Sequence, residues 1–266
     1  MNILEKIVTN KKEEIKIERS KIPERDLRER AYESRKKISL VKALEKPGQY
    51  GVNIIAEIKR ASPSKGPIRP DLDPALYAES YAKGKAAAIS VLTDKTYFMG
   101  TPDDLSRAKK AVSLPILRKE FIISAYQIYQ SCALGADAVL LIARILSKDQ
   151  LKDYVSLCNE VNIDVLVEIH SEKELDTVFD SKAQLVGINN RNLETFSTDI
   201  ETSIRLASYL EFPQIPVAES GIGNREDVEK LTHGGVWNFL IGESLVRATD
   251  PCDYLQRLMG VNSVEK

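Results

Sequence analysis

Histidine is almost missing from this 266-residue chain, which has two, alongside three cysteines and one tryptophan. Cys132, Cys158 and Cys252 lie far apart, form no CxxC pair and share no ligand spacing with a histidine. A zinc or iron–sulfur centre is therefore not expected, and no metal is assigned. A disulfide framework is equally unexpected, and the thiols read as reduced, buried small residues of a cytoplasmic protein. An excess of charge is absent too. The 38 basic and 39 acidic residues leave a net charge of −1, so no nucleic-acid partner is expected. No apolar run approaches the ~18 residues of a membrane helix. The opening Met1-Asn2-Ile3-Leu4-Glu5-Lys6 is charged too early for a signal peptide. No membrane partner is expected.

What is present is organised around Ile54-Ile55-Ala56-Glu57-Ile58-Lys59-Arg60-Ala61-Ser62-Pro63-Ser64-Lys65-Gly66. Its apolar start marks a strand buried on both faces. Glu57 and Lys59 stand two residues apart, so in a strand their charges project to the same side. The Ser-Pro-Ser-Lys-Gly cluster then ends the strand and opens a loop. Such a pair is either a structural ion pair or a reactive pair placed at a sheet's mouth.

Residues 1–50 read as a charged helical extension. Ile3, Leu4, Ile7 and Val8 form an apolar stripe, a second segment starts at Pro23, and a third helical turn over Ser39–Leu44 stops at Pro47-Gly48. The extension is expected over one end of the main domain, with its charges solvated.

From residue 53 a rhythm follows. Buried-type strands are predicted near 53–59, 86–93, 114–119, 137–143, 164–169, 185–191, 215–220 and 237–242. Helical patterns between them include Pro74–Lys83, Thr101–Val112, Ser147–Val161, Thr198–Leu210 and Asn224–Thr232. Thr101-Pro102 and Asp250-Pro251 supply helix starts, and Gly84, Gly135 and Gly234 supply stops. Repeated apolar strands alternating with helices predict a (β/α)8 TIM barrel with an N-terminal helical extension, one domain over 1–266. A doubly wound open sheet is the alternative, but neither GxGxxG nor a P-loop is present.

In such barrels the C-terminal strand ends build the active site. Those ends carry Glu57 and Lys59, Ser90 and Thr93, Lys119, Arg144, Glu168, Asn189 and Arg191, Glu219 and Ser220, and Gly242-Glu243-Ser244. Strand interiors hold almost no charge, and that asymmetry favours an active site. Glu219-Ser220-Gly221-Ile222-Gly223 and Ile241-Gly242-Glu243-Ser244 are glycine turns leading into helices after strands seven and eight, where phosphate sites are often built. His170 and His233 have no partner visible in sequence and read as structural. Tyr97-Phe98-Met99 is either core packing or the wall of an apolar slot.

The stretch Ile55–Ser64 resembles the signature of the indole-3-glycerol-phosphate synthase family. The likeness continues through Ser90–Thr93, Leu117–Phe121, Gly135–Ile142, Val167-Glu168, Gly187–Leu193, Ala218–Ile222 and Leu240–Leu245. The resemblance implies a phosphate-binding barrel of tryptophan biosynthesis. Its reaction converts 1-(2-carboxyphenylamino)-1-deoxyribulose 5-phosphate to indole-3-glycerol phosphate, releasing carbon dioxide and water. It also implies the site roles. Lys119 is the general acid on the ketone. Lys59 orients the substrate carboxylate, and Glu168 is the acid/base partner for dehydration. Glu57, Asn189, Arg191 and Glu219 hold substrate and lysines. Ser220, Gly221, Gly242 and Glu243 line the phosphate end, with the Glu243 side chain expected to turn away. Phe98, Phe121 and Leu140 meet the aryl ring, and Ser62 completes the substrate-binding set. No cofactor is implied, and the partner is a phosphorylated small molecule bound by a monomer. A class I aldolase using a Schiff-base lysine, a sugar-phosphate isomerase and a non-catalytic binding barrel are the rival readings.

Overall fold

The computed structural model describes residues 3–33, 36–192 and 195–261. Leu193, the last residue of one family motif, lies outside them. Eight parallel strands close into a barrel: β1 (Asn53–Ile58), β2 (Ala88–Leu92), β3 (Ile116–Lys119), β4 (Ala138–Ile142), β5 (Asp164–Ile169), β6 (Leu185–Asn189), β7 (Ile215–Glu219) and β8 (Asn238–Ile241). Each strand pairs with its sequence neighbours, and β1 closes the ring on β8 with Ile55 opposite Leu240. Several strands are a residue or two shorter than the predicted spans, whereas β3 and β5 end where predicted, at Lys119 and Ile169.

Alternation sorts each strand. Ile55, Ala88, Leu117, Ala138, Leu140, Leu166, Leu185, Val217 and Leu240 fill one apolar cluster inside the barrel. Ile54, Ala56, Ile89, Val139, Val167 and Ile188 belong to a second, between the strands and the helices. Both faces are buried, which is why the strands read as unbroken apolar runs. The predicted helices are present with capping side chains, except that Thr198–Leu210 is cut back to Glu201–Ala207 and has no side-chain cap. Thr101 and Asp104, Ser147 and Gln150, and Asn224 and Asp227 each form a capping box. Gly135 ends the helix Ala125–Leu134 at φ 86°, a left-handed turn that glycine adopts without strain. That helix buries residues all round, among them Tyr126, Ile128, Tyr129 and Cys132, so its sequence shows little amphipathic period.

The extension corrects two expectations. It comprises α1 (Ile3–Lys21), α2 (Glu24–Tyr32) and α3 (Leu40–Leu44), and it covers both ends of the barrel rather than one. Leu40 and Leu44, fully buried, belong to the barrel's interior cluster. They are held at its base by the acids that begin β4 and β5. Asp137 accepts from the Ile38 N–H at 3.0 Å, and Asp164 accepts from Ser39 Oγ and the Val41 N–H at 2.8 and 3.1 Å. At the other end Ile3, Leu4 and Ile7 of α1 line the barrel mouth. The charges of α1 are also not all solvated. Lys11 is buried, with Nζ 2.9 Å from Asp94 and 3.0 Å from Glu120.

Candidate active site

The strand ends converge on a cavity of about 560 Å³ at the barrel mouth, and every residue given a site role from sequence lines it. Glu57 and Lys59 leave the end of β1 on the same side, as period-two geometry requires. Their ion pair is 2.8 Å long. Lys119 ends β3, and its Nζ lies 2.8 Å from Glu168 Oε2 on β5 and 3.1 Å from Glu219 Oε2 on β7. Asn189 at the end of β6 donates to Glu168 Oε1 at 3.2 Å and accepts the Arg191 N–H at 3.0 Å. Glycine makes room for two of the carboxylates. A Cβ on Gly242 would lie 2.5 Å from Glu57 Oε1, and one on Gly187 would overlap Glu219 Oε1.

One lysine cannot neutralise two buried carboxylates, so their protonation diverges. Burial tends to raise the pKa of Glu168, but Lys119, His170 and the Asn189 hydrogen bond hold it down, at about 2. Burial raises Glu219 as well. Lys119 draws it down, while Glu168 and Glu57 push it up, and it comes to rest at about 8. Burial would lower the pKa of Lys119, yet Glu168, Glu219 and Glu57 raise it above the ordinary lysine value. Beside the Lys119 ammonium, Glu168 is thus the stronger acid of the pair and Glu219 the weaker. Oε1 of Glu219 has no hydrogen-bond partner among the described residues and is free to carry the acid's proton.

The far end of the cavity is built by the turns after β7 and β8. Ser220 and Gly221 both adopt positive φ, 67° and 77°. The Ser220 carbonyl accepts from Asn190 Nδ2 at 3.0 Å. The Glu243 side chain is held by Arg247 at 3.2 Å and lies 4.0 Å from Arg191. The apolar wall contains Phe98 and Phe121, whose ring centroids are 6.1 Å apart, with Leu140. Phe98 thus walls the slot, whereas neighbouring Met99 points to solvent. Ser62 belongs to a short hairpin, Ala61–Ser62 with Gly66–Pro67, where a plain loop was predicted.

Three strand-end residues fall elsewhere. Ser90 is buried below the mouth. Thr93 has the opposite parity to Leu92 and bonds Glu120 and Arg118 outside the barrel. Arg144 sits in a 3₁₀ turn that aims it outward at Glu174, 3.1 Å away. Arg118 is a charge within a strand, buried against Ser131 and Gln127. His170 does have a partner, Glu168, with Nε2 3.3 Å from Oε1. Sequence reading also missed Ile3, Leu4, Ile7, Lys65, Phe196 and Arg247 as cavity residues. Arg247, one turn beyond Glu243, was the one with a legible helical signal. Among the described residues no cluster of histidine, cysteine, aspartate and glutamate could hold a metal ion, and no helix is long and apolar enough to cross a membrane.

Comparison with known proteins agrees with this geometry. Among solved structures, a 3-hexulose-6-phosphate synthase superposes with a TM-score of 0.61 at 12% identity, covering 79% of this chain and 100% of that one. Its counterpart from Salmonella typhimurium gives 0.63 at 10% identity, over 79% and 97% of the two chains. These likenesses concern the barrel fold. The indole-3-glycerol phosphate synthase from Desulfosudis oleivorans is 52% identical over 97% of this chain and 98% of its own. The one from Syntrophobacter fumaroxidans is 48% identical over the same shares. The family profile "Indole-3-glycerol phosphate synthase" matches residues 4–258. The chain belongs to the indole-3-glycerol phosphate synthase family.

Proposed function

We propose a division of labour for the reaction of this family, in which the chain acts as a carboxy-lyase of tryptophan biosynthesis. The observation that carries it is the Lys119 ammonium, held between Glu168 at 2.8 Å and Glu219 at 3.1 Å inside the cavity. The ring carbon bearing the carboxylate attacks the ketone carbon, and Lys119 Nζ gives its proton to the ketone oxygen, which becomes a hydroxyl. Lys59 holds the substrate carboxylate until the C–C bond to it breaks. The electron pair of that bond returns to the ring, and carbon dioxide leaves. Glu168, held as the carboxylate, removes the proton beside the new hydroxyl. The hydroxyl departs as water with a proton from Lys59 or Glu219, and the indole is complete. The ring gives an electron pair to the ketone and regains one from the bond to the departing carboxylate, so the scheme calls for no cofactor.

Phe98, Phe121 and Leu140 receive the aryl ring. Ser220, Gly221 and Gly242 receive the phosphate, with Lys65 and Arg247 as nearby cations. Arg191 and Glu243 fix the rim between these ends. Ser62 contributes a hydroxyl from the β1 hairpin, and Glu57 orients Lys59. The same reading takes residues 1–266 as one domain that works as a cytoplasmic monomer. The experiment is incubation of purified protein with 1-(2-carboxyphenylamino)-1-deoxyribulose 5-phosphate. Indole fluorescence should rise with one carbon dioxide released per product, and failure of both signals in folded protein removes the assignment.

A further inference from the structure

His170 stands two residues beyond Glu168 on the same inward face of β5, where the strand gives way to the turn before the 3₁₀ segment Glu172–Glu174. Its side chain is 4% exposed, yet neither ring nitrogen completes a hydrogen bond among the described residues. A buried polar ring with no completed bond is costly unless it has work to do. The nearer nitrogen, Nε2, is 3.3 Å from Glu168 Oε1, the oxygen that also accepts from Asn189. Nδ1 is 3.9 Å from Glu174 Oε2. Glu174 is fixed in turn, because it accepts the His170 backbone N–H at 2.5 Å and the Arg144 side chain at 3.1 Å.

We infer that His170 is a positioning residue for Glu168: its neutral ring donates Nε2–H to Oε1, so that Oε2 alone faces Lys119 and the substrate. This rests on the dehydration role proposed above for Glu168. A lone pair on Nε2 would repel the carboxylate at 3.3 Å, which places the ring proton on Nε2. Burial favours the neutral ring. The charges facing it are Glu168 and Glu174, which favour the cation, and Arg144 and Lys119, which oppose it, and its pKa lies below the ordinary histidine value. A neutral donor leaves the Glu168 charge committed to Lys119, whereas an imidazolium would compete for it. Bonds of this kind are often long in the free enzyme and tighten when substrate is bound. Here that tightening would set the carboxylate's angle during proton removal.

The test compares His170→Leu, His170→Gln, Glu168→Gln and the double variant Glu168→Gln/His170→Leu in the full-length enzyme. Leucine keeps the bulk and loses the donor, while glutamine restores an N–H near the position of Nε2. His170→Leu should lower kcat at least ~10-fold with KM within about twofold, and carbon dioxide should appear before the indole signal. His170→Gln should recover most of the loss, and the double variant should be no slower than Glu168→Gln alone. Equal losses in the leucine and glutamine variants that follow their melting temperatures overturn the inference in favour of packing. Wild-type kcat in His170→Leu beside a crippled Glu168→Gln overturns His170 alone. Wild-type kcat in Glu168→Gln overturns the Glu168 role and, with it, the inference.

Discussion

Gly242 at the end of β8 and Glu57 on β1 are in contact across the seam that closes the barrel. A methyl group on the glycine would sit 2.5 Å from Glu57 Oε1 and 3.0 Å from its Cβ. The glycine that lines the phosphate end thus also reserves the space of the carboxylate that holds Lys59.

Gly242→Ala should therefore act through Glu57. We expect turnover to fall ~10²-fold, the scale of a misplaced catalytic group. Stabilisation by inorganic phosphate, read as a rise in melting temperature, should persist. Loss of the phosphate effect with kcat intact would confine the glycine to the anion site.

Lys119→Met should remove turnover, by ~10²–10⁴-fold as for other general acids, while substrate still binds. Equilibrium binding beside single-turnover kinetics checks this. Near wild-type turnover in the folded variant would remove Lys119 from the chemistry.

Stability should carry the mark of Glu219. Its folded pKa is raised to about 8 from an ordinary 4.5. Between those values the folded state keeps a proton that the unfolded chain has released. Stability contributed by this group therefore falls as pH rises through the window, by at most about 1.4 kcal/mol per pH unit. Glu168 works oppositely. Its depressed pKa contributes stability that is present above 4.5 and lost as pH falls toward about 2. Glu219→Gln should flatten the decline between pH values of about 5 and 8, measured as urea midpoints. An unchanged slope would mean that Glu219 is ionised across the range.

Lys11→Met should destabilise the protein by ~3–5 kcal/mol, because it leaves buried Asp94 without its cation and Glu120 with only Arg118, 3.8 Å away. Chemical denaturation measures the loss. A variant as stable as wild type would show that water or rearrangement satisfies both acids.

Much of this site was legible because period-two alternation is a strict rule. Once Glu57 and Lys59 are placed on a strand, their shared direction follows, and so do the strand ends at Lys119, Glu168, Asn189 and Glu219. The same rule, read more finely, separates Leu92, which lines the cavity, from Thr93, which bonds to Arg118 outside the barrel. What the sequence could not show was contact between distant segments. Lys11 looks like any other charge of a polar helix until Asp94 and Glu120 are brought to it. Ile3, Leu4 and Ile7 look like the inner stripe of a helix, but nothing local says that the stripe meets a cavity. His170 and Glu168 share the two-residue spacing of Glu57 and Lys59, so the same rule read at the end of β5 finds the pair that was passed over as structural.

The two-ended grip of the extension bears on the order of biosynthesis. Residues 3–44 leave the ribosome before the barrel strands, yet their seats are made by what comes later. Leu40 and Leu44 share a cluster with Leu185, Val217 and Leu240, and Ile7 shares it with Phe121 and Leu140. The ring itself closes late, through Asn53 donating to Asn238 across 185 residues. Part of the extension's apolar seat is therefore missing until β8 emerges, while Phe121 and Leu140 become available to Ile7 earlier.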